Sequence, residues 1–406
     1  IPPETLGNIS VRVVDNDVPG ITLRAATSST GSTGPLTHRD VPEGTGFVAL
    51  ITLDAAPLRD VHVVLSSNRS ASDPLALQRS QYNLTMTDFT WNRPQKIELK
   101  ATDDFVDYGA GYSEHFQVTT SSADPFFDGL AAEFTTHTAD NDVARIVVLP
   151  SETEAKEGKT GYFFVRLGTV PAGDVVLDLT PGGAVDSGTE TGTVTLQSSS
   201  LTFTPTAWST PQLVSVHAAE DDRATLATVQ ASVLVNTSAS LTSASEYVAV
   251  DSRTVRIVIP DNDFPGVVIS PQAVSVLEAR PDAGEPYVIA LGSEPAADVV
   301  VTATVSGNDI TVTPSSVTFT AGTADWREGK TFTVFAVDDG PGEPQEEHVV
   351  EHTLASDDPM YDLTSGTSPY LTVSSLQMTA TVIDRSQSID ETPAPAVVSA
   401  KVVETA

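Results

Sequence analysis

The chain contains no cysteine, which excludes disulfide bonds, thiolate zinc sites and cysteine nucleophiles. Basic residues are also scarce: 21 Lys and Arg stand against 54 Asp and Glu, so the net charge is −33 and the pI is about 4.2. A chain this acidic repels the phosphates of nucleic acids and of anionic membrane surfaces, and neither is expected as a partner. Cations are the partners that the charge favours; the alternative is that it only keeps an extended surface soluble.

Long apolar runs and helical periodicity are missing as well. No run is long enough to cross a bilayer, so direct membrane insertion is not predicted. The chain has instead short segments such as "VHVVLSS", "VVLDLTP" and "VVVTATVS", in which apolar and polar residues alternate. Turn residues separate these segments at short intervals. Alternation with a period of two is typical of half-buried strands, and the sequence therefore predicts an all-β fold.

An acidic turn recurs along the chain, in "VVDNDVPGITL", "TADNDVARIVV" and "IPDNDFPGVVIS", and a remnant of it closes "ATVIDRS". Its first Asp recurs at intervals of 125, 121 and 123 residues. One Trp lies in each interval, at Trp91, Trp208 and Trp326, and an acidic pair follows each Trp by twelve or thirteen residues. Landmarks that keep one order three times over indicate tandem repeats.

These landmarks predict three units, at residues 18–142, 143–263 and 264–385. Residues 1–17 resemble the terminal strand of a preceding repeat, and residues 386–406 a linker with the possible start of another domain, so we expect a segment of a larger protein. About seven short strands in roughly 120 residues indicate a β-sandwich. The prediction is three tandem Greek-key, immunoglobulin-like sandwiches arranged end to end, each with its Trp at the edge of its core.

The ordered motifs resemble those of Calx-beta domains, the Greek-key sandwiches of sodium–calcium exchangers and of large extracellular adhesion proteins. The resemblance covers almost the whole chain. It rests on the "EG" turn of "VPEGTG" and "AKEGKTG", the "P-x-x-DV-x-V" strand, the stretch "S-x-D-P-x-Y" and the closing "DND". Unit three carries it most fully, in "SSVTFTAGTADWREGKTFTVFAVDDGPGEPQEEHVV" and "ASDDPMYDL".

The resemblance implies a calcium site at one end of each sandwich. Its ligands would be the Glu of the "EG" turn, the acidic pair, a following Glu and the terminal acidic triplet, which together offer the hard oxygen ligands that Ca2+ prefers. The candidates are Glu43, Asp103, Asp104, Glu114, Asp140 and Asp142 in unit one; Glu157, Asp221, Asp222, Asp261 and Asp263 in unit two; and Glu278, Asp338, Asp339, Glu346 and Asp384 in unit three.

Departures from the family pattern favour calcium in unit one over the other two. The triplet is Asp-Asn-Asp, unit two has Arg223 after its acidic pair and no following Glu, and unit three ends in "IDRS". The alternative is a turn without metal, because Asp and Asn at strand ends hydrogen-bond to their own backbone and Pro-Gly favours a tight reversal. In either case the short connection after each "DND" predicts a stiff rod, on the order of 100 Å long for three units.

Catalytic motifs are missing: there is no nucleophile elbow, phosphate loop or HExxH sequence, and we expect no enzyme. His348 and His352, in "EEHVVEHTL", are predicted to be surface residues on one strand. The expected function is a structural or adhesive segment of a secreted or cell-surface protein, which associates with itself or with other extracellular structural proteins. The alternative is a calcium-sensing module. Four sequons predict N-glycosylation at Asn8, Asn68, Asn83 and Asn236.

Overall fold

The computed structural model describes residues 10–12, 14, 16–26, 33–186, 190–225, 227–340, 344–363, 371 and 376–384. The predictions for Asn8, for most of residues 1–17 and for the segment 386–406 lie outside these ranges. Within them the regular structure is almost entirely β, with one short helix, α1 (Asp325–Glu328), and one 3-10 turn (Ser245–Tyr247). No helix in the described ranges has the length and apolar character needed to span a membrane.

Unit one forms two facing sheets. Their strand orders are β2-β1-β4-β8-β6 and β3-β10-β9-β5-β7. All the pairings are antiparallel except that of β3 with β10, which is parallel. The strands are β1 (Ile21–Ala26), β2 (Thr33–Pro35), β3 (His38–Pro42), β4 (Gly46–Leu53), β5 (Val61–Ser67), β6 (Gln78–Arg79), β7 (Asn83–Met86), β8 (Gln95–Lys100), β9 (Tyr112–Ser122) and β10 (Ala131–Ala139).

Unit two repeats this arrangement. Its sheets have the orders β11-β13-β18-β16 and β12-β20-β19-β14-β17, with β15 added alongside β19. The strand after the first one of the unit, β12, again runs parallel to the last strand, β20. The strands are β11 (Ile146–Leu149), β12 (Glu152–Glu154), β13 (Thr160–Leu167), β14 (Val175–Gly182), β15 (Glu190–Thr191), β16 (Val194–Leu196), β17 (Ser200–Phe203), β18 (Gln212–Ala218), β19 (Val229–Thr237) and β20 (Arg253–Ile259).

Unit three has the same topology for the third time. Its sheets run β21-β23-β27-β25 and β22-β29-β28-β24-β26, with β22 parallel to β29. The strands are β21 (Val267–Ser270), β22 (Ala273–Leu277), β23 (Glu285–Leu291), β24 (Val299–Val305), β25 (Ile310–Thr313), β26 (Ser316–Phe319), β27 (Lys330–Ala336), β28 (Glu346–Ser356) and β29 (Gln377–Ile383).

Three separate hydrophobic cores lie between the paired sheets. Their buried members extend over residues 23–134, 144–259 and 269–382, so each core lies within one predicted unit. Alternate residues supply them: in β5 every second side chain is buried. Trp326 is buried in its core, whereas Trp91 and Trp208 pack against theirs while partly exposed. The predicted tandem β-sandwich fold is confirmed; the residue boundaries of the units stay a prediction.

A buried tyrosine fastens one loop in each of units two and three. The hydroxyl of Tyr361 accepts a hydrogen bond from the backbone N–H of Ser293 at 2.9 Å and donates to its carbonyl oxygen at 3.0 Å. Tyr247 makes the same pair of bonds with Thr169, at 3.1 and 2.9 Å. Tyr361 is the Tyr of the "S-x-D-P-x-Y" stretch, and Tyr247 in "SASEY" has the same role, since a buried hydroxyl needs hydrogen-bond partners.

Candidate metal sites at the ends of the sandwiches

Each unit brings one Glu to the end of its last strand: that of the "EG" turn in units one and two, and Glu278 of "VLEARPDAG" in unit three. The second strand of the unit, which runs parallel to the last one, ends at this point. The backbone N–H of the Glu donates a hydrogen bond to the carbonyl oxygen of the residue just before the terminal acidic turn. The bonds join Glu43 to Ala139 at 3.1 Å, Glu157 to Pro260 at 3.2 Å and Glu278 to Ile383 at 3.1 Å. All three Glu side chains are buried. The repeat thus places one buried carboxylate beside the acidic turn in every unit.

In unit one, three carboxylates converge at this position. Glu43, Asp140 and Asp142 each offer an oxygen within 4.8 Å of the other two. Oε1 of Glu43 and Oδ2 of Asp142 are buried and have no hydrogen-bond partner among the described residues. The other oxygens are bound to the backbone: Asn141 N–H donates to Glu43 at 3.4 Å and Asp142 N–H to Asp140 at 2.9 Å. The backbone therefore holds the carboxylates while two of their oxygens stay available to a ligand.

The charges of this group are costly to maintain. Burial, together with the neighbouring Asp140 and Asp104, raises the pKa of Glu43 from 4.5 to about 7, although the hydrogen bond from the Asn141 N–H acts in the opposite direction. Burial also raises the pKa of Asp142, with repulsion from Asp140 next in size. Like charges that share a desolvated site favour proton uptake unless a cation compensates them.

The acidic pair and Glu114 have other surroundings. Asp104 accepts hydrogen bonds from Val106 N–H at 2.9 Å and from the Tyr108 hydroxyl at 3.2 Å, at the rim of the group. Asp103 is exposed. Glu114 is buried on β9, where it pairs with the guanidinium of Arg79 at 2.5 Å and accepts the N–H of Leu77 at 2.8 Å. The structure thus places Glu114 in an internal ion pair and not in the carboxylate group.

Unit two forms a corresponding group, from Glu157, Asp221 and Asp263, again with oxygens within 4.8 Å of one another. Burial, followed by repulsion from Asp221, raises the pKa of Glu157 to about 7. Burial and then Asp261 raise the pKa of Asp263 to about 6, and its Oδ2 is buried without a hydrogen-bond partner among the described residues. Asp261 itself accepts the N–H of Asp263 at 2.7 Å. The acidic group therefore forms in unit two, although the sequence of this unit departs from the family pattern.

Glu220 is a further candidate ligand in unit two that the sequence motifs did not identify. Its carboxylate accepts a hydrogen bond from the side-chain amide of Asn262 at 3.1 Å, and Asn262 lies in the acidic turn. The signal was present in "AEDD", where the acidic run begins one residue before the pair. Asp222 of the same run is exposed, does not belong to the three-carboxylate group, and forms a surface ion pair with Arg327 of unit three at 2.7 Å.

Unit three differs. Glu278 and Asp384 are buried, while Asp338 and Asp339 are exposed. Within the described part of the chain, its three-ligand group consists instead of Asp309, Glu346 and His348.

Strand register shows that Glu346 is not the equivalent of Glu114. Glu114 lies opposite Thr136, four residues before Asp140, whereas Glu346 lies opposite Val382, two residues before Asp384. The residue opposite Ala380, which is four before Asp384, is His348. The equivalent position in unit two is Ala231, opposite Ile257. One buried position thus carries Glu, Ala and His in the three units.

The prediction that His348 and His352 are surface residues is wrong. They are 8% and 1% exposed, because both face the core side of β28. The ring of His352 lies between the hydroxyl of Tyr287 and the carbonyl oxygen of Leu376, at 2.8 Å from each. Burial lowers the pKa of His352.

In units one and two, the acidic pair or the loop that follows it contacts the next unit. Val170 N–H donates to the carbonyl oxygen of Phe105 at 2.8 Å, and the Phe105 ring lies 6.1 Å from that of Trp208. At the second junction Glu294 N–H donates to the Asp222 carbonyl oxygen at 2.6 Å. Three residues separate Asp142 from β11, and three separate Asp263 from β21. The acidic groups of units one and two therefore lie beside the junctions between consecutive sandwiches.

The three described sequons differ in exposure. Asn68 and Asn83 are exposed, and Asn236 is half-buried. The side-chain oxygen of Asn68 accepts the N–H of His115 at 2.9 Å, and the side-chain amide of Asn236 donates to the Thr237 carbonyl oxygen at 3.2 Å. Glycosylation at these positions stays a prediction.

No protein-family model matches the chain, and no curated protein matches it. Similar solved structures include the calcium binding domain CBD12 of CALX1.1 (13% identity, TM-score 0.26, covering 54% of this chain and 96% of that one). The match to mouse cadherin-23 EC22-24 covers 90% of this chain and 98% of that one, with 12% identity and a TM-score of 0.31. The match to the titin I-band fragment I67-I69 covers 88% of this chain and 98% of that one, with 9% identity and a TM-score of 0.21. At these TM-scores the likenesses assign neither a family nor a function. The chain is a tandem β-sandwich protein on the strength of its own sheets and cores.

Proposed function

We propose that the chain is a non-catalytic structural or adhesive segment of a larger secreted or cell-surface protein, in which Ca2+ stiffens a rod of sandwiches. The observation that carries the proposal is the convergence of Glu43, Asp140 and Asp142 beside the junction of units one and two. Its expected partners are further copies of the chain or other extracellular structural proteins.

The residues present fit a calcium ion. Ca2+ takes six to eight hard oxygen ligands and tolerates irregular geometry. The unit-one group offers carboxylate oxygens from two separate turns, and two of these oxygens are buried without a hydrogen bond among the described residues. A bound dication would compensate the negative charges whose mutual repulsion and burial raise the pKa of Glu43. In unit two, Glu157, Asp221 and Asp263 would hold the ion in the same way.

The loop that follows the acidic pair of unit one links such a site to the geometry of the rod. Its Asp107 accepts the N–H of Ala144 in the connection to unit two, at 2.7 Å. The N–H of Tyr108 donates to Asp140, a member of the carboxylate group. Phe105, in the same loop, contacts unit two. Fixing Asp140 on an ion would therefore restrict the loop that carries the contact with the next sandwich.

The test compares the full chain with the double variant Asp140→Asn, Asp142→Asn, in excess Ca2+ and in chelator. A ligand that binds only the folded state raises the melting temperature. We expect calorimetry to show a calcium-dependent rise of the unit-one transition in the parent chain that the double variant largely loses, while the unit-two transition, whose own group is intact, still rises. Small-angle scattering should show a rod that becomes less extended in chelator. Asp88→Asn, which removes an exposed charge of unit one, is the matched control and should respond like the parent.

Two outcomes would count against the proposal. Equal melting temperatures with Ca2+ and with chelator would leave the acidic turn as a hydrogen-bonded turn and the charge as a source of solubility. A change of inter-unit angle without any change in stiffness would favour the calcium-sensing alternative, because the ion would then select between two defined arrangements of the rod.

A further inference from the structure

We propose that unit three contains a binding site for a transition-metal dication of the zinc class, formed by Asp309, Glu346 and His348. The three side chains each offer a ligand atom, and these atoms lie within 4.8 Å of one another. The site is specific to unit three, because the position of His348 is Glu114 in unit one and Ala231 in unit two.

One strand and one tight loop position the ligands. Glu346 and His348 are two residues apart on β28, so their side chains share a face. Asp309 ends the loop that leaves β24 and enters β25 in the opposite sheet, and its carbonyl oxygen accepts the N–H of Val337 at 2.8 Å. Gly307 in this loop has a φ of +90° and would bring a Cβ to 3.4 Å from Nδ1 of His348. The positive φ favours glycine here, and a Cβ would meet the ring at ordinary contact distance.

The hydrogen bonding of His348 suits a metal ligand. Its Nδ1 lies 3.2 Å from the carbonyl oxygen of Ser306, so the Nδ1–H tautomer donates there. This leaves the lone pair on Nε2, which is buried and has no hydrogen-bond partner among the described residues. Metal-binding histidines usually donate their other ring N–H to a carbonyl or carboxylate, which sets the tautomer and the ring orientation.

Of the two distances around Nε2, the one to Asp309 falls in the range between ligands of one ion and the one to Glu346 lies slightly beyond it. Nε2 lies 3.3 Å from Oδ2 of Asp309 and 3.8 Å from Oε2 of Glu346. Ligands bound to zinc at about 2.0–2.2 Å in a tetrahedron lie roughly 3.3–3.6 Å apart. The carboxylates are partly solvent-exposed, 32% for Asp309 and 50% for Glu346, so water can complete the coordination.

The ligand chemistry separates this site from the proposed calcium sites. Imidazole nitrogen suits zinc and its neighbours in the first transition row, whereas calcium selects oxygen. The competing explanation is a protonated His348 that forms ion pairs with both carboxylates, because the same short distances would then arise without a metal.

The experiment titrates Zn2+ into the full chain kept in excess Ca2+, with isothermal calorimetry as the readout. Co2+ absorption spectra then report the ligand set. We expect His348→Gln to lose one zinc equivalent of the parent chain, or to bind it at least tenfold more weakly, and Asp309→Asn and Glu346→Gln to weaken the same equivalent. His115→Gln is the matched control, since His115 lies 3.3 Å from Glu133 but is 47% exposed and has a single carboxylate beside it.

Identical zinc isotherms for the parent chain, His348→Gln and Asp309→Asn would overturn the proposal. A nuclear magnetic resonance signal showing Nε2 of His348 protonated at pH 7.5 in excess Zn2+ would do so as well, and protons on both ring nitrogens would establish the ion-pair explanation. Asp309 and Glu346 lie partly at the surface, so their variants keep the test decisive if His348→Gln fails to fold. Because calcium is in excess throughout, the zinc result does not depend on the calcium proposal.

Discussion

Replacing Glu43 with Gln should stabilise unit one in chelator at pH 8. The pKa of Glu43 is raised from 4.5 to about 7 when the chain folds. One pKa unit corresponds to about 1.4 kcal/mol, so ionised Glu43 costs the folded state roughly 3 kcal/mol at pH 8. Gln has the same shape, keeps an oxygen for the Asn141 N–H and carries no charge. The variant should therefore gain up to about 3 kcal/mol over the parent chain under these conditions.

The effect should depend on pH with a definite sign. For an acid whose folded pKa is raised, the stabilising contribution is fully present below the unfolded pKa and is lost as the pH rises through the folded value. The parent chain should thus lose stability in unit one between pH 4.5 and about 7 in chelator, and Glu43→Gln should lose less, because only the raised pKa of Asp142 then remains in the group. In excess Ca2+ the order should reverse, because an amide oxygen replaces one charged carboxylate ligand and weakens the binding that stabilises the folded state.

Amide hydrogen exchange is the suitable assay, because a chain of three sandwiches does not unfold in one step and exchange reports the free energy of opening locally. Peptides from β4 and β9 report unit one, and peptides from β28 are the internal reference. Glu114→Gln is the matched control: it breaks the buried pair with Arg79 and should destabilise unit one by about 3–5 kcal/mol with or without Ca2+. Equal protection of Glu43→Gln and parent at pH 8 in chelator would refute the reasoning.

Two further substitutions test the junction and the buried tyrosine. Phe105→Ala removes a ring that is 56% exposed and touches Trp208, so we expect the free energy of unfolding of either unit to change by less than about 0.5 kcal/mol. Small-angle scattering should nevertheless show a less extended rod. Unchanged scattering would exclude a stiffening role for the ring. Tyr361→Phe removes the hydroxyl that bonds to Ser293 and should lower the stability of unit three by about 1–3 kcal/mol. Calorimetry should show this as a lower transition temperature. An unshifted transition would show that the backbone N–H and carbonyl groups of Ser293 find other partners.

Local sequence was enough to predict the architecture. Alternation of apolar and polar residues indicates strands because side chains along a strand point to opposite faces, and β5 follows this pattern residue by residue. The recurring acidic turn and Trp indicated three units, and three cores are found. The placement of Glu43 beside Asp140 was also predictable, although only through the resemblance to a family whose motif both residues match.

Only the tertiary structure decided what each buried polar side chain does. Glu114 and Glu346 each follow the acidic pair of their unit, and the sequence motif treats them as equivalent. The register of β9 with β10 and of β28 with β29 shows that their positions in the repeat differ by two residues. Arg79 meets Glu114 from 35 residues away, and Asp309 meets His348 from the opposite sheet. Burial, ion pairing and the convergence of ligands depend on which strands become neighbours. That pairing is a non-local property, and no short stretch of sequence encodes it.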